Sequence, residues 1–152
     1  MTARLNYRTA NPDVMHAMLG LEQAVLRGGV ERPLLELVRM RVSQINGCAY
    51  CLDMHSKDAR AAGETEQRLY ALTAWRETPF FSERERAALA WAETLTRIAD
   101  DDVSDELFAE ARRHFSEEEL TTLTLAIVAI NGWNRFAIAF RSIPGSYVVP
   151  KA

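Results

Sequence analysis

Signals for the start and end of helices recur along almost the whole chain, and they restrict the possible folds more than any other feature of the sequence. Asn11 precedes a proline, a pair typical of a helix start, because the Asn side chain caps the first turn and proline needs no hydrogen bond there. This pattern predicts a helix over residues 12–27, ended by the glycines that follow. A second helix is predicted from Pro33 to about Ile45, ended by the Asn-Gly pair of residues 46–47.

The later part of the chain repeats these signals. A third predicted helix covers residues 48–62, and a fourth follows Thr65. Ser82 and Ser116 are each followed three residues later by Glu, which is the capping box that satisfies backbone N–H groups at a helix start. Each box opens a long predicted helix, and a shorter helix lies between the two.

The same pattern predicts the fold class. Strand-type alternation is confined to a Tyr-Val-Val stretch near the C-terminus. The 152 residues, 48% of them hydrophobic, suit one compact domain with a sizeable core. We therefore predict an all-α fold, a single domain over residues 1–152 built as a bundle of six or seven helices.

The distribution of charge argues against nucleic acid as a partner. The formal net charge is −3, and Lys and Arg are scattered among Asp and Glu instead of forming a basic stripe. Residues 1–13 lack the apolar run of a signal peptide, and polar residues interrupt the most apolar later stretch, so no membrane association is predicted. We expect a cytoplasmic protein that meets small molecules or other proteins.

The region from about residue 120 to 140 is apolar on almost every side of the helix that it is expected to form. Such a helix is either the centre of the bundle or partly covered by another subunit of a homo-oligomer. Asn131, Asn134 and Arg135 interrupt it. They are expected either to satisfy one another or to contact a functional site.

Both cysteines of the chain and one of its three histidines lie within eight positions, as Cys48, Cys51 and His55. On a helix that begins at Cys48 they occupy positions i, i+3 and i+7, one stripe on the packed face. A helix N-terminus lowers the pKa of a thiol, and a nearby His can accept its proton. In a reducing cytoplasm such a pair is typically redox-active or metal-binding, and two inert core cysteines are the remaining alternative.

Glu36 is the carboxylate expected nearest to His55, because antiparallel helices joined at residues 46–47 bring the two residues to nearly the same level. A carboxylate there would hold the tautomer of His55 and raise its basicity. The helical wheel favours another arrangement, in which Glu36 points away from the apolar face and forms a surface ion pair with Arg39.

A zinc site is the metal-binding alternative, with Cys48, Cys51, His55 and Glu36 as ligands. Structural zinc sites usually draw their ligands from two separated clusters, and Glu is uncommon among them, so no metal is predicted. Covalent haem attachment needs a His directly after the second Cys, where this chain has Leu52, and no cofactor is predicted.

The order Glu36, eleven residues, Cys48-Ala-Tyr-Cys51, three residues and His55 forms the pattern E-x11-C-x2-C-x3-H. With this pattern and the stretches "ALAWAETLTRIADDDVSDELFAEARRHFSEEEL" and "AIVAINGWNRFAIAFRSIPGSY", most of the chain resembles the carboxymuconolactone decarboxylase superfamily, in its AhpD-like alkylhydroperoxidase branch. The resemblance implies an all-α fold, trimers or hexamers, and reduction of hydroperoxides at the cysteine pair.

The resemblance also implies a role for each residue of the motif. In that branch the second cysteine is oxidised to sulfenic acid, the first is the proton donor and resolving thiol, and the His and Glu form a proton relay. By position these are Cys51, Cys48, His55 and Glu36. The residues alone leave the nucleophile open, because the helix dipole favours Cys48 and the i, i+4 relation to His55 favours Cys51. AhpD has a His where this chain has Tyr50, so no relay role is carried over to that position.

The implied partners are a hydroperoxide substrate and an external dithiol reductant, which in AhpD is a lipoyl-bearing protein. Two alternatives remain from the sequence. One is a non-enzymatic oligomeric scaffold or stress-response binding module that keeps the motif without its activity. The other is a decarboxylase-like enzyme, which would have no need of paired cysteines.

Overall fold

The computed structural model describes residues 1–150, which form eight α-helices and one 3₁₀ helix. No residue of this range lies in a β-strand, so the predicted all-α class is confirmed. None of these helices has the length and apolar character that a membrane crossing requires. In chain order they are α1 (Tyr7–Ala10), α2 (Pro12–Arg27), α3 (Arg32–Asn46), α4 (Ala49–Ala61), α5 (Glu66–Ala71), the 3₁₀ helix (Leu72–Glu77), α6 (Glu83–Thr96), α7 (Asp105–His114) and α8 (Glu117–Ala139).

Local capping explains most helix starts, as the sequence predicts. The Asn11 side chain accepts hydrogen bonds from two backbone N–H groups at the start of α2, and complete capping boxes open α6 and α8. The structure adds the single turn α1, which is capped by Asn6. It also shortens the fourth predicted helix, because the chain passes into the 3₁₀ helix after Ala71 and Ala74 leaves helical backbone geometry.

Helix α3 lies at the centre of the bundle, in contact with α4, α6 and α8. Residues 34–40 are all buried, including the charged Glu36 and Arg39. A buried charge is costly unless it is paired, so these side chains must find partners inside the protein. The central position of α3 therefore determines where a polar site can form.

Helix α8 packs against α2, α3 and α6, and the side chains of Leu123, Ile127 and Ile130 on its inner side are almost fully buried. On its outer side Val128 and Ile138 are 55% and 48% exposed. The apolar sequence of α8 thus serves a bundle position and also leaves an exposed strip, in which Val128 and Ile138 lie on either side of the exposed Arg135. If the protein forms the predicted homo-oligomer, this strip is the part of α8 that a second subunit would cover.

The polar residues of α8 join it to the end of α3. Asn46 donates its Nδ2 to Oδ1 of Asn134 at 2.8 Å and to Oδ1 of Asn131 at 3.0 Å, and Asn134 donates to Oγ of Ser43 at 3.0 Å. Arg135 donates to the carbonyl oxygen of Asn131 at 2.8 Å. These residues therefore satisfy the hydrogen-bonding groups of one another and of their neighbours, which is the first of the two alternatives expected from the sequence. They also hold the end of α3 from which the next turn starts.

Candidate active site

The turn between α3 and α4 positions both cysteines. Gly47 ends α3 in the left-handed conformation at φ 67°, where a Cβ would introduce strain. Cys48 follows with an extended backbone, and its N–H donates to the carbonyl oxygen of Ser43 at 3.0 Å. Cys48 is therefore the N-cap of α4 and not its first helical residue, because the chain must leave the turn before the helix begins at Ala49.

Cys48 and Cys51 are joined by a disulfide, and their Cα atoms lie 5.3 Å apart. Two cysteines three apart in a regular helix have Cβ atoms about 5–6 Å apart, which is too far for this bond. The extended backbone of Cys48 supplies the unwinding that closure requires. The Sγ of Cys48 also accepts a hydrogen bond from the Cys51 N–H at 3.3 Å, so the pair forms one compact unit at the start of α4.

His55 lies one helical turn after Cys51, and its Nδ1 is 2.8 Å from Oε2 of Glu36 on α3. The contact predicted from the level of His55 and Glu36 is therefore present. The ion pair with Arg39 that the helical wheel favours is also present, but Glu36 is 3% exposed, so the predicted surface position of the pair is wrong. The wheel identifies a polar face of α3, but that face is turned into the protein because neighbouring helices cover α3 on all sides.

A chain of ion pairs and hydrogen bonds continues from Glu36. Arg39 donates to Oε1 of Glu36 at 2.8 Å and to Oε2 of Glu22 on α2 at 2.6 Å. Trp133 on α8 donates its Nε1 to the other oxygen of Glu22 at 2.9 Å. The network ties α2, α3, α4 and α8 together beside His55. Glu22 and Trp133 were not predicted as site residues from the sequence, although Arg39, which stands between two apolar residues of α3, would need an acidic partner if it were buried.

The surroundings of Glu36 keep it ionised. Burial alone would raise its pKa, but the hydrogen bond and charge of His55, together with the guanidinium of Arg39, outweigh burial and lower the pKa. A carboxylate only accepts hydrogen bonds, so the proton of the contact lies on Nδ1 of His55. In neutral His55 the Nε2 atom is then an acceptor, which can take the proton of a neighbouring thiol.

A cavity of about 380 Å³ opens beside these residues. Cys51, His55 and Glu36 contribute to its wall, whereas Cys48 does not and packs against Ala137. The remaining wall comes from α1, α2 and α8 and from further residues of α3 and α4. A molecule in the cavity would therefore lie beside Cys51 and not beside Cys48.

Comparison with known proteins shows the family of this chain. Residues 12–94 match the model of the carboxymuconolactone decarboxylase family. The chain belongs to the carboxymuconolactone decarboxylase family. It is 45% identical over 139 residues to the uncharacterized protein YdfG of Bacillus subtilis, and the alignment covers 91% of this chain and 95% of YdfG.

Solved structures place this family member in the AhpD-like branch. A protein of unknown function from Agrobacterium tumefaciens, described as a proposed antioxidant defence protein AhpD, is 42% identical to this chain. The two structures superpose with a TM-score of 0.91, and the match covers 96% of this chain and 100% of the Agrobacterium chain. The debrominase Bmp8 is 28% identical, with a TM-score of 0.78 over 90% of this chain and 73% of Bmp8. The resemblance inferred from the motif is confirmed, and the relatives of this AhpD-like chain include an enzyme.

Tyr50 stands where AhpD has a His. Its side chain contributes to the cavity wall, and its hydroxyl accepts a hydrogen bond from Nη2 of Arg8 at 3.4 Å. At this position the AhpD-like protein described here therefore has a phenol bound to a guanidinium instead of an imidazole.

Glu36, His55 and Asp58 are the one group within residues 1–150 whose ligand atoms lie close enough together for a metal ion, within 4.8 Å of one another. Neither cysteine belongs to this group, and in the disulfide the two sulfurs are bonded to each other. Arg39 already balances the charge of Glu36, which makes the position unfavourable for a second cation.

Proposed function

We propose that this AhpD-like protein is a thiol-dependent peroxidase that reduces hydrogen peroxide or organic hydroperoxides and serves antioxidant defence. One observation carries the proposal: Cys51 lies in a cavity wall, bonded to Cys48 and one helical turn from His55, whose Nδ1 is held by Glu36. A purely structural thiol needs neither a cavity nor an oriented base. The AhpD description of the Agrobacterium relative supports the same activity.

The reaction starts from the reduced cysteine pair. Nε2 of His55 takes the proton of the Cys51 thiol, and the thiolate attacks the terminal oxygen of a hydroperoxide, ROOH. The O–O bond breaks, Cys51 becomes a sulfenic acid, and RO⁻ takes a proton from His55 to leave as the alcohol ROH. The Cys48 thiol then attacks the sulfur of Cys51, which forms the disulfide and releases the sulfenic oxygen as water. The dithiol has thus supplied both electrons for the reduction.

The local structure supports these roles. Cys51 lies in the first turn of α4, four residues before His55, so the base that takes its proton is on the same face of the helix. Glu36 orients His55 and stabilises the imidazolium that forms when His55 holds the thiol proton. Cys48 precedes the first helical residue, so its sulfur can bond to Cys51 without disturbing α4.

Each turnover leaves a disulfide that an external dithiol must reopen. We propose a small dithiol partner such as the lipoyl group of a carrier protein, acting in a reducing cytoplasm. We also propose a homo-oligomer, a trimer or hexamer, in which a neighbouring subunit covers the exposed strip around Val128 and Ile138.

Intact-mass measurement tests the central step without knowledge of the natural reductant. The protein is reduced with dithiothreitol, separated from it, and treated with an equimolar amount of cumene hydroperoxide. We expect the mass to fall by that of two hydrogen atoms, cumyl alcohol to appear in equal amount, and dithiothreitol to restore the mass. If both thiols stay free and the hydroperoxide is not consumed, the protein is no peroxidase, and the non-enzymatic module becomes the better hypothesis.

A further inference from the structure

We propose that the cavity selects hydroperoxides that combine an apolar body with a carboxylate, and that Arg8 binds the carboxylate. This inference names the substrate class of the site and rests on the proposed peroxidase function.

Much of the wall is apolar. Leu19 and Leu26 of α2 lie there and are 45% and 65% exposed, and Met54 and Trp133 face them from α4 and α8. Exposed leucines of this size favour an apolar ligand, because covering them removes hydrocarbon from water. The volume of about 380 Å³ falls in the range of about 300–1,000 Å³ that small-molecule sites occupy. Hydrogen peroxide would leave this surface uncovered, whereas an organic hydroperoxide would bury it.

Most charges in the wall are already engaged. Arg39 holds Glu22 and Glu36 in ion pairs. Asp58 accepts a hydrogen bond of 2.7 Å from the hydroxyl of Tyr147. Two of the three acidic groups of the wall are therefore neutralised by Arg39, and none of the three forms an ion pair with Arg8.

Arg8 differs from these groups. Within residues 1–150 it forms no ion pair, and its side-chain contacts are the hydroxyl of Tyr50 at 3.4 Å and the ring of Tyr7, whose centroid is 5.7 Å from Cζ. A hydroxyl and an aromatic ring orient a guanidinium but do not neutralise it, so its charge remains available to a carboxylate, which arginine binds with two parallel hydrogen bonds. Tyr50 directly precedes Cys51, so the hydroxyl that contacts Arg8 and the reactive cysteine belong to the same turn of α4.

Arg32 is the matched control, since it lines the same cavity and also forms no ion pair within the described part of the chain. Glu36 lies four residues later on the same helix, so a carboxylate already stands in the surroundings of Arg32. An incoming anion is therefore favoured less at Arg32 than at Arg8.

The test compares cumene hydroperoxide with its para-carboxylate, which differ in one charge, in the wild type and in Arg8→Gln and Arg32→Gln. We expect the wild type to prefer the carboxylated substrate in kcat/KM, and Arg8→Gln to reduce that preference about fivefold to tenfold, mainly through KM, as suits a solvent-accessible charge-assisted contact. The preference should also weaken at high ionic strength. Arg32→Gln should leave it within about twofold.

The outcomes separate this inference from the proposed function. Equal kcat/KM for both substrates in the wild type, or an equal loss of preference in both variants, would overturn the assignment to Arg8 while peroxide reduction stands. If neither substrate is reduced, the proposed function fails, and calorimetric titration of the disulfide form with octanoate and with 1-octanol still tests the site. Tighter binding of octanoate that Arg8→Gln removes supports the anion site, and equal binding of the two ligands refutes it.

Discussion

Replacing Glu36 with Gln tests the proton relay at the residue whose buried position differs most from the surface position that the helical wheel predicts. The substitution keeps the size and shape of the side chain but removes its charge. Both Arg39 and His55 donate to the carboxylate, whereas an amide has one acceptor oxygen and an NH₂ group. One of the two donors would therefore face a donor. If that donor is Nδ1 of His55, the imidazole is driven to the other tautomer and Nε2 can no longer accept the thiol proton.

The expected magnitude follows from the contact. Two unit charges about 4 Å apart interact by about 4 kcal/mol at an effective dielectric constant of about 20. Glu36 and His55 are almost completely buried, so water screens this attraction little. The guanidinium of Arg39 on the other carboxylate oxygen opposes the imidazolium and offsets part of it. The net loss of roughly 1.4–4 kcal/mol corresponds to a rate of thiol oxidation about 10- to 1,000-fold lower.

Glu93→Gln is a matched control for this experiment. Glu93 is also a buried carboxylate with a lowered pKa, held by Arg41 at 2.6 Å and by the indole of Trp75 at 2.9 Å. It lies outside the cavity wall. Glu93→Gln should therefore reduce stability without slowing the reaction.

A stopped-flow assay measures the step directly, by mixing reduced protein with hydroperoxide and following thiol loss in a single turnover. Glu36→Gln and His55→Gln should each be slow, and the double variant only slightly slower than either, because residues on one proton path act as a unit. An unchanged rate in Glu36→Gln, with the same pH profile as the wild type, would refute the relay and reduce Glu36 to a structural partner of Arg39. Equal slowing in Glu93→Gln would show that the effect comes from lost stability.

Three further outcomes are expected. Cys51→Ser should abolish hydroperoxide consumption, and a sulfenic-acid reagent should label Cys51 in Cys48→Ser; labelling of Cys48 in Cys51→Ser would instead make Cys48 the nucleophile. Because the pKa of Glu36 in the folded protein lies below its ordinary value of about 4.5, its contribution to stability is complete above that pH and is lost as the pH falls through the folded-state pKa. Urea unfolding should therefore show a weaker acid dependence in Glu36→Gln than in the wild type, and identical dependence would contradict the shift. Light scattering should report a trimer or hexamer that Val128→Glu weakens, whereas a monomeric wild type would leave the exposed strip of α8 without the proposed role.

Much of the helical framework could be predicted from the chain alone. The caps at Asn11, Ser82 and Ser116 and the break at Gly47 act through backbone hydrogen bonds between residues a few positions apart, so local sequence is sufficient to locate them. The passage of the fourth helix into a 3₁₀ turn was not predictable in this way. It lies in a stretch that carries no local break signal before Pro79, and its buried Trp75 packs in the core.

The features of the site likewise fall into those that local sequence determines and those that depend on the packing of the helices. Cys48, Cys51 and His55 lie within about two helical turns of one another, so local sequence is sufficient to make them neighbours. The environment of Glu36 was decided by tertiary structure, because the other helices packed around α3 determine whether its polar face meets water or a buried base. The same holds for Glu22, Trp133 and Arg8, which come from distant parts of the chain and meet the cysteine motif only when α1, α2 and α8 close around it. Capping and spacing depend on nearby residues, whereas burial and charge pairing depend on the packing of the whole chain.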